Sequence, residues 1–457
     1  CMKYQSLTID SPRELIFGHS PHPVTTRRGL VIGGGEVYPE LNFTLPTISI
    51  TPATYGEVGR HYREIITGAL ERVRDLRQNG VVFEFETLLE MTMNPQLGID
   101  LVTAMNDICE EAWVKEGIRS EIRLTPNDTR DFERPVRMRT SRYLDNMFGL
   151  FEGGARAGGD LLSIESTGGK EVHDEALMNC NLQEVVFSLA VLGVRDMRFL
   201  WKRIVEIAND TGRIPAGDTA CGFGNTAMVL AEKKYIPKVF AAVVRVVTVV
   251  RTLVAIEEGA RGPDKDCGYE GPFLKAITGR PISMEGRTAA CAHFSPVGNI
   301  AGACADLWSN ESVNNVKLLS GMAPSVSMEQ LIYDARMFNQ ATRLGHAAAF
   351  QEILVRSDAG LDPQALILDP VSVIEVSRAI VSGKNHVEAS ILGALKGLEI
   401  IEGAVEDGSL FIDEREKSWI GMLQDQLEEM PRDESGLVEA VLPELDQDKV
   451  ILEEYGL

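Results

Sequence analysis

Three glycine-rich stretches of this chain hold residues able to bind a metal ion. They are Ser163-Ile164-Glu165-Ser166-Thr167-Gly168-Gly169-Lys170-Glu171, Ala216-Gly217-Asp218-Thr219-Ala220-Cys221-Gly222-Phe223-Gly224 and Gly262-Pro263-Asp264-Lys265-Asp266-Cys267-Gly268-Tyr269-Glu270. Each follows an apolar run that reads as a β-strand: Asp160 to Glu165, Arg213 to Asp218 and Thr252 to Glu257. In a parallel barrel the loops after the strands converge on one mouth, so Glu165, Cys221 and Cys267 are expected to meet there. One carboxylate and two thiolates suit a mononuclear zinc ion. Three protein ligands leave a fourth position open, the arrangement of catalytic rather than structural zinc. A cysteine beside a strand is otherwise a small buried hydrophobe. Cys291, in Thr288-Ala289-Ala290-Cys291-Ala292-His293 after another strand, competes as a ligand, as does Cys304 in a small-residue stretch. Cys109 and Cys180 fall within predicted helices and are assigned to the core.

Carboxylates close to these loops are candidates for a second task. Asp218, Asp266, Glu270 and Glu285 could donate a proton to a leaving group or orient a metal ligand from behind. The competing role for each is a helix cap or an ion-pair partner. Glu86, Asn94, Asn127, Asp128 and Arg130 stand near other strand ends and are candidates to line the mouth.

The elements that must position these residues alternate along the chain. The spacing predicts helices over 54–77, 100–115 and 141–157, two more over 171–209, and a long one over 225–250. Strands are predicted at Val81 to Glu86, Glu121 to Thr125 and Pro281 to Glu285, besides the three above. From Asn299 onward the pattern is mainly helical, including 327–356 and 386–405. Such alternation means parallel strands joined by crossover helices, in a closed barrel or an open doubly wound sheet. The barrel is preferred because the candidate ligands come from the ends of several strands. The expected fold is thus a (β/α)8 TIM-type barrel over 51–410 with inserted helices, an irregular arm over 1–50 rich in Gly, Pro and Thr, and an acidic helical extension over 411–457. Within the arm, Arg28 to Gly35 ends in three glycines but makes no phosphate loop: Tyr38 replaces the last glycine of GxGxxG, and no GK[ST] follows.

Composition sets the outer bounds. The chain has 457 residues, 44% hydrophobic and 25% charged, which excludes disorder, collagen and coiled coil as descriptions of the whole. The 45 basic residues face 67 acidic ones, a net charge of −22, which argues against nucleic acid or an anionic membrane as partner. None of the seven cysteines forms a CxxC pair, excluding a zinc ribbon or a thioredoxin-type motif, and unpaired thiols fit a reducing cytoplasm. Met2, rather than Cys1, reads as the natural start, and the polar stretch after it carries no signal-peptide pattern. The most apolar segment, Val239 to Val250, is broken by Arg245 and reads as a buried helix rather than a membrane span.

The blocks ESTGGKE, GDTAC, GPDKDCGYE, KAITGRPISMEG and CADLWSNES, in that order, resemble the methanol:corrinoid methyltransferase family. The likeness runs from about Gly29 into the C-terminal region and is strongest from Asp160 to Ser312. Between Glu165 and Cys221 stand 55 residues, and between Cys221 and Cys267 stand 45, a few fewer than in the methanogen form. The resemblance implies a barrel and one zinc, bound by a Glu and two Cys that match Glu165, Cys221 and Cys267. It implies transfer of the methyl group of methanol to cobalt(I) of a corrinoid carried by a separate small protein, with a second enzyme passing the methyl group to a thiol coenzyme or a folate. Zinc in that role is a Lewis acid that makes hydroxide a tolerable leaving group. The partners expected are the corrinoid-binding protein, methanol and further copies of the chain in a homo-oligomer. Two alternatives remain: a zinc-dependent O-demethylase using methoxylated aromatics, and a non-enzymatic barrel that scaffolds the corrinoid protein.

Overall fold

The computed structural model describes residues 2–44, 48–265, 269–314, 316–446 and 448–457. Nine strands position the site: β1 (His19–Thr25), β2 (Val31–Gly34), β3 (Tyr38–Thr44), β4 (Gly80–Glu86), β5 (Arg119–Thr125), β6 (Leu161–Ile164), β7 (Ile214–Asp218), β8 (Ser283–Glu285) and β9 (Leu307–Val313). β3 to β9 form one parallel sheet in the order β7-β6-β5-β4-β3-β9-β8. The opening between β7 and β8 is bridged by 261–264. Arg261 N–H donates to Pro215 O at 2.8 Å, Gly262 N–H donates to Ala216 O at 2.8 Å, and Asp264 pairs in parallel with Ile282. Eight extended segments therefore close a ring, and the chemistry-bearing loops leave from its carboxyl end, as a (β/α)8 barrel requires.

Alternation of side chains explains the barrel's two environments. Leu41, Phe43, Phe83, Phe85, Ile122, Leu124, Leu162 and Ile164 pack into the large core cluster. The intervening residues make a small apolar floor, where Tyr38, Val82, Leu161, Ile214 and Leu307 meet Val24, Leu30 and Ile32 of the antiparallel β1–β2 hairpin. Above that floor the interior turns polar. Buried Arg123 crosses it, donating to Glu40 Oε1 at 2.5 Å, Ser163 Oγ at 2.8 Å and Pro263 O at 2.9 Å.

Four expectations need correction. Thr252 to Glu257 is not a strand; it closes the helix Lys238–Glu258, whose residues from Val239 to Glu257 are all buried. A helix buried on every side has no polar stripe, so its β-branched run mimics a strand. That helix is long and apolar enough to cross a bilayer, yet it lies wholly inside the fold. The helix expected over 225–250 is two helices, Cys221–Glu232 and Lys238–Glu258, broken where Pro237 precedes the second. The region after Asn299 is not simply helical, since β9 completes the barrel; its sequence LWSNESV hides the strand because alternate residues face a polar interior. The N-terminal arm is not irregular either, for it supplies the hairpin and the barrel strand β3.

The acidic C-terminal segment folds back as the helices Glu414–Glu429 and Glu434–Val441 and a last turn at Leu452–Tyr455. Tyr455 is buried; its hydroxyl accepts from Gly169 N–H at 2.9 Å and donates to Glu171 Oε1 at 2.6 Å. The tail thereby holds the turn that follows Glu165.

Candidate metal centre at the barrel mouth

Glu165 is the first residue after β6, and Cys221 opens the helix after β7. These strands are parallel neighbours, so both residues leave adjacent strands at the carboxyl end of the barrel. Glu165 lines a cavity of about 230 Å³, and Gly222, the residue after Cys221, forms part of its wall. Glu86, Asn127, Asp128, Thr167 and Lys170 complete the lining used below. Cys221 stands in the first turn of its helix, the end whose dipole favours an anion, and Asn225 Nδ2 lies 3.4 Å from its sulfur.

One buried lattice holds both loops. Asp218 accepts from Ser166 Oγ at 2.8 Å, Trp201 Nε1 at 2.7 Å, Ser166 N–H at 3.2 Å and Thr219 N–H at 2.8 Å. Arg251 donates to Ser166 Oγ at 2.6 Å, to Ser166 O, and to Thr219 O at 3.3 Å, and its guanidinium lies 3.6 Å from Asp218. Its planar head also covers the Phe223 ring at 4.6 Å. Ser166 adjoins Glu165 and Thr219 precedes Cys221 by two, so a single cation fixes the spacing of both candidate donors. Glu270 adds a further tie, accepting from Ala220 N–H at 2.6 Å and Thr252 Oγ1 at 2.8 Å. Burial is the largest influence on the carboxyls of Asp218 and Glu270 and pushes both up, against Arg251 for the first and the Ala220 amide for the second.

A second cation faces Glu165 from the barrel interior. Lys265, fully buried, sits 2.9 Å from Glu165 Oε1, 3.0 Å from Glu84 Oε1 and 3.8 Å from Glu86 Oε2. Burial raises the Glu86 carboxyl to about 7, helped by the charge of Glu165 and opposed by Lys265. On the other flank Asp128 accepts from Thr167 N–H at 2.9 Å and pairs with Arg130 at 2.7 Å. Burial alone would raise the Asp128 carboxyl, but Arg130 holds it below the usual range.

Of the residues singled out from sequence, Glu165, Cys221, Glu86, Asn127 and Asp128 gather around the mouth. Asp218 and Glu270 lie buried beneath it, their carboxylates engaged in holding loops. Glu285 ends β8 and accepts from Tyr269 Oη at 3.2 Å. Cys267 and Asp266 lie outside the described residues; the last described residue before them, Lys265, contacts Glu165. Asn94 donates instead to Tyr55 Oη at 3.1 Å, and Arg130 is buried behind the mouth, bridging Asp128 and Asp196. Cys291 is exposed on the short helix after β8, while Cys304 and Cys109 are buried. Cys304 donates weakly to Leu15 O at 3.6 Å. Among the described residues, no three His, Cys, Asp or Glu side chains gather as a complete metal site, and Cys267, the third expected donor, lies outside them. A carboxylate and a thiol are both ordinary zinc ligands, and their adjacency on neighbouring strand ends fits that ion.

Sequence reasoning missed Lys265, Arg251, Trp201, Ser166 and Tyr455. Only Arg251 left a signal: an arginine inside the apolar run VVRVVTVVRTLVAI must be paired where it is buried.

Comparison with known proteins places the chain in a family. The family model described as methanol-cobalamin methyltransferase B subunit matches residues 1–456. The methanol–corrinoid protein co-methyltransferase of Methanosarcina barkeri is 34% identical over 436 residues, covering 94% of each chain. A chain of the crystal structure of the methanol:cobalamin methyltransferase complex from Methanosarcina barkeri superposes with a TM-score of 0.95 at 32% identity, over 100% of both chains. The chain belongs to the methanol-cobalamin methyltransferase B subunit family.

Proposed function

We propose that this chain transfers the methyl group of methanol to the cobalt of a corrinoid borne by a partner protein, using zinc held by Glu165, Cys221 and Cys267. The observation that carries the reading is the shared anchoring of Glu165 and Cys221. One arginine and one aspartate fix the loops of both donors at the rim of a single cavity, in a chain that aligns end to end with its relative. Zinc in this donor set would supply Lewis acidity toward the methanol oxygen.

The chain's own residues do the positioning. Arg251 and Asp218 hold Ser166 and Thr219, and so the backbone on which Glu165 and Cys221 ride. Glu270 fixes Ala220 next to the cysteine. Lys265 takes Oε1 of Glu165 and turns the carboxylate about that contact. On this reading Asp218 and Glu270 orient ligands rather than deliver protons, since both are enclosed under the loops. Glu86, Asn127 and Lys170 line the space where methanol would enter. A thiolate-based centre suits the reducing cytoplasm.

The test is direct. Purified protein should contain about one zinc per chain and form methylcobalamin from methanol and free cobalt(I) cobalamin. Protein free of zinc as isolated, or demethylation of a phenyl methyl ether with methanol untouched, overturns the proposal.

A further inference from the structure

The helix Lys238–Glu258 is apolar and buried along almost its whole length, yet it carries two arginines. Arg251 holds the loops of Glu165 and Cys221. Arg245 precedes it by six residues, is equally buried, and reaches elsewhere. Its Nη2 donates to Gln364 Oε1 at 3.0 Å and lies 3.7 Å from Met228 Sδ, on the helix that Cys221 opens. Its planar head lies over the Tyr269 ring, 5.1 Å from the ring centre. A guanidinium so deeply buried is stable only where its donors and its face are engaged.

Tyr269 stands two residues after Cys267 in the third glycine-rich stretch. Its backbone is left-handed, with φ at 60°, a conformation that costs a residue with a bulky side chain. Such a residue persists only where its surroundings hold it. Here the ring is buried beneath Arg245, and the hydroxyl donates to Glu285 Oε2 at 3.2 Å, at the end of β8. The next residue, Glu270, accepts from Thr252 Oγ1 at 2.8 Å. Arg245 and Thr252 are seven residues apart and so share one face of the helix. That face grips two consecutive residues of the third stretch and, through Met228, the helix of Cys221. On the reading that Glu165, Cys221 and Cys267 hold zinc, we propose that Arg245 is a positioning residue for the third donor: by holding Tyr269 in its left-handed turn against the helix of Cys221, it sets how Cys267 is presented to the metal. One arginine of the buried helix then serves the first two donors and the other serves the third.

The test loads the full-length protein with cobalt(II), which accepts the thiolate and carboxylate donors of zinc sites. Its thiolate bonds give a near-ultraviolet charge-transfer band that grows with the number of thiolates bound. The wild type should show the band of two thiolates. R245M should keep about half of that intensity per bound cobalt, Cys221 alone remaining engaged, and should bind zinc about 10- to 100-fold more weakly in competition with a chelator. R245K, which keeps a cation for the ring but not the planar fork, should fall between the two. A role confined to stability would lower the urea midpoint of R245M and leave both readings at their wild-type values, which overturns the proposal. Where R245M fails to fold, Y269L makes the same test, because it removes the ring and the hydroxyl while Arg245 stays; wild-type intensity per cobalt and wild-type zinc affinity in that variant overturn the proposal equally. A wild type that binds cobalt without the band overturns the zinc reading itself.

Discussion

Arg251→Met is the perturbation that most sharply separates a held metal centre from an incidental pair of loops. Methionine keeps a long apolar stem but cannot donate a hydrogen bond. The change removes the contacts to Ser166 Oγ, Ser166 O and Thr219 O, the pairing with Asp218 and the cover over Phe223. Asp218 retains its bonds from Trp201, Ser166 and Thr219, so its charge is weakened in support rather than abandoned. Removing one member of a buried pair costs about 3–5 kcal/mol, and loss of the ring contact about 0.5–2 kcal/mol more. Because these terms share one side chain they do not add fully, and a loss of about 4 kcal/mol is expected. Arg251→Lys keeps the charge but cannot span Ser166 and Thr219 together, and should lose about half as much. Urea unfolding followed by circular dichroism measures the change, provided the slope is unchanged. Zinc affinity, measured by competition with a chromophoric chelator, should fall about 10- to 100-fold, as for other ligand-orienting residues. A variant that loses less than about 1 kcal/mol and binds zinc as the wild type does would refute the claim that this arginine fixes both donors.

Other outcomes follow from the same structure. Glu165→Gln and Cys221→Ala should each lower zinc per chain several-fold while the far-UV spectrum is unchanged; a full complement of zinc in both would exclude them as ligands. At Gly217 a methyl group would lie 2.8 Å from Asp264 Cα, pushing 261–264 off β7, so Gly217→Ala should cost about 1–3 kcal/mol in chemical unfolding. Burial raises the Glu171 carboxyl to about 7 despite the bond from Tyr455. The native state then keeps a proton that the unfolded chain gives up near about pH 4.3, so stability should fall as pH rises from there to about 7. Glu171→Gln should flatten that part of the stability profile, and an unchanged slope counts against the assignment.

Much of the barrel was legible because its flanking helices are amphipathic: 54–77 and 141–157 appear as Tyr55–Asp75 and Arg142–Ala157, the latter capped by Ser141. Glu40, Glu84, Arg123, Ser163 and Ser309 are buried inside the barrel yet polar, so β3 and β9 lacked the apolar alternation that marks a strand. The fully buried helix Lys238–Glu258 failed in the opposite sense, with no polar face to mark its period. The site was readable as far as its glycine-rich loops, where chemistry-bearing residue types cluster. Its supports were not, because Trp201 and Tyr455 come from distant positions and only the fold turns Lys265, inside the third loop, onto Glu165. The third loop illustrates both halves. Its motif was recognisable, yet it follows a helix, and the segment 261–264 enters the barrel as an irregular edge held by two β7 carbonyls.

The central claim, a zinc centre that opens methanol to methyl transfer, is tested most directly by one titration. Protein stripped of metal is given zinc in steps, with methanol and cobalt(I) cobalamin present, and methylcobalamin formation is followed by absorbance. The account predicts activity that rises with zinc and saturates at about one ion per chain, with Glu165→Gln and Cys221→Ala well below wild type at that point. Full activity in the metal-free protein, or saturation in those variants indistinguishable from wild type, would contradict it.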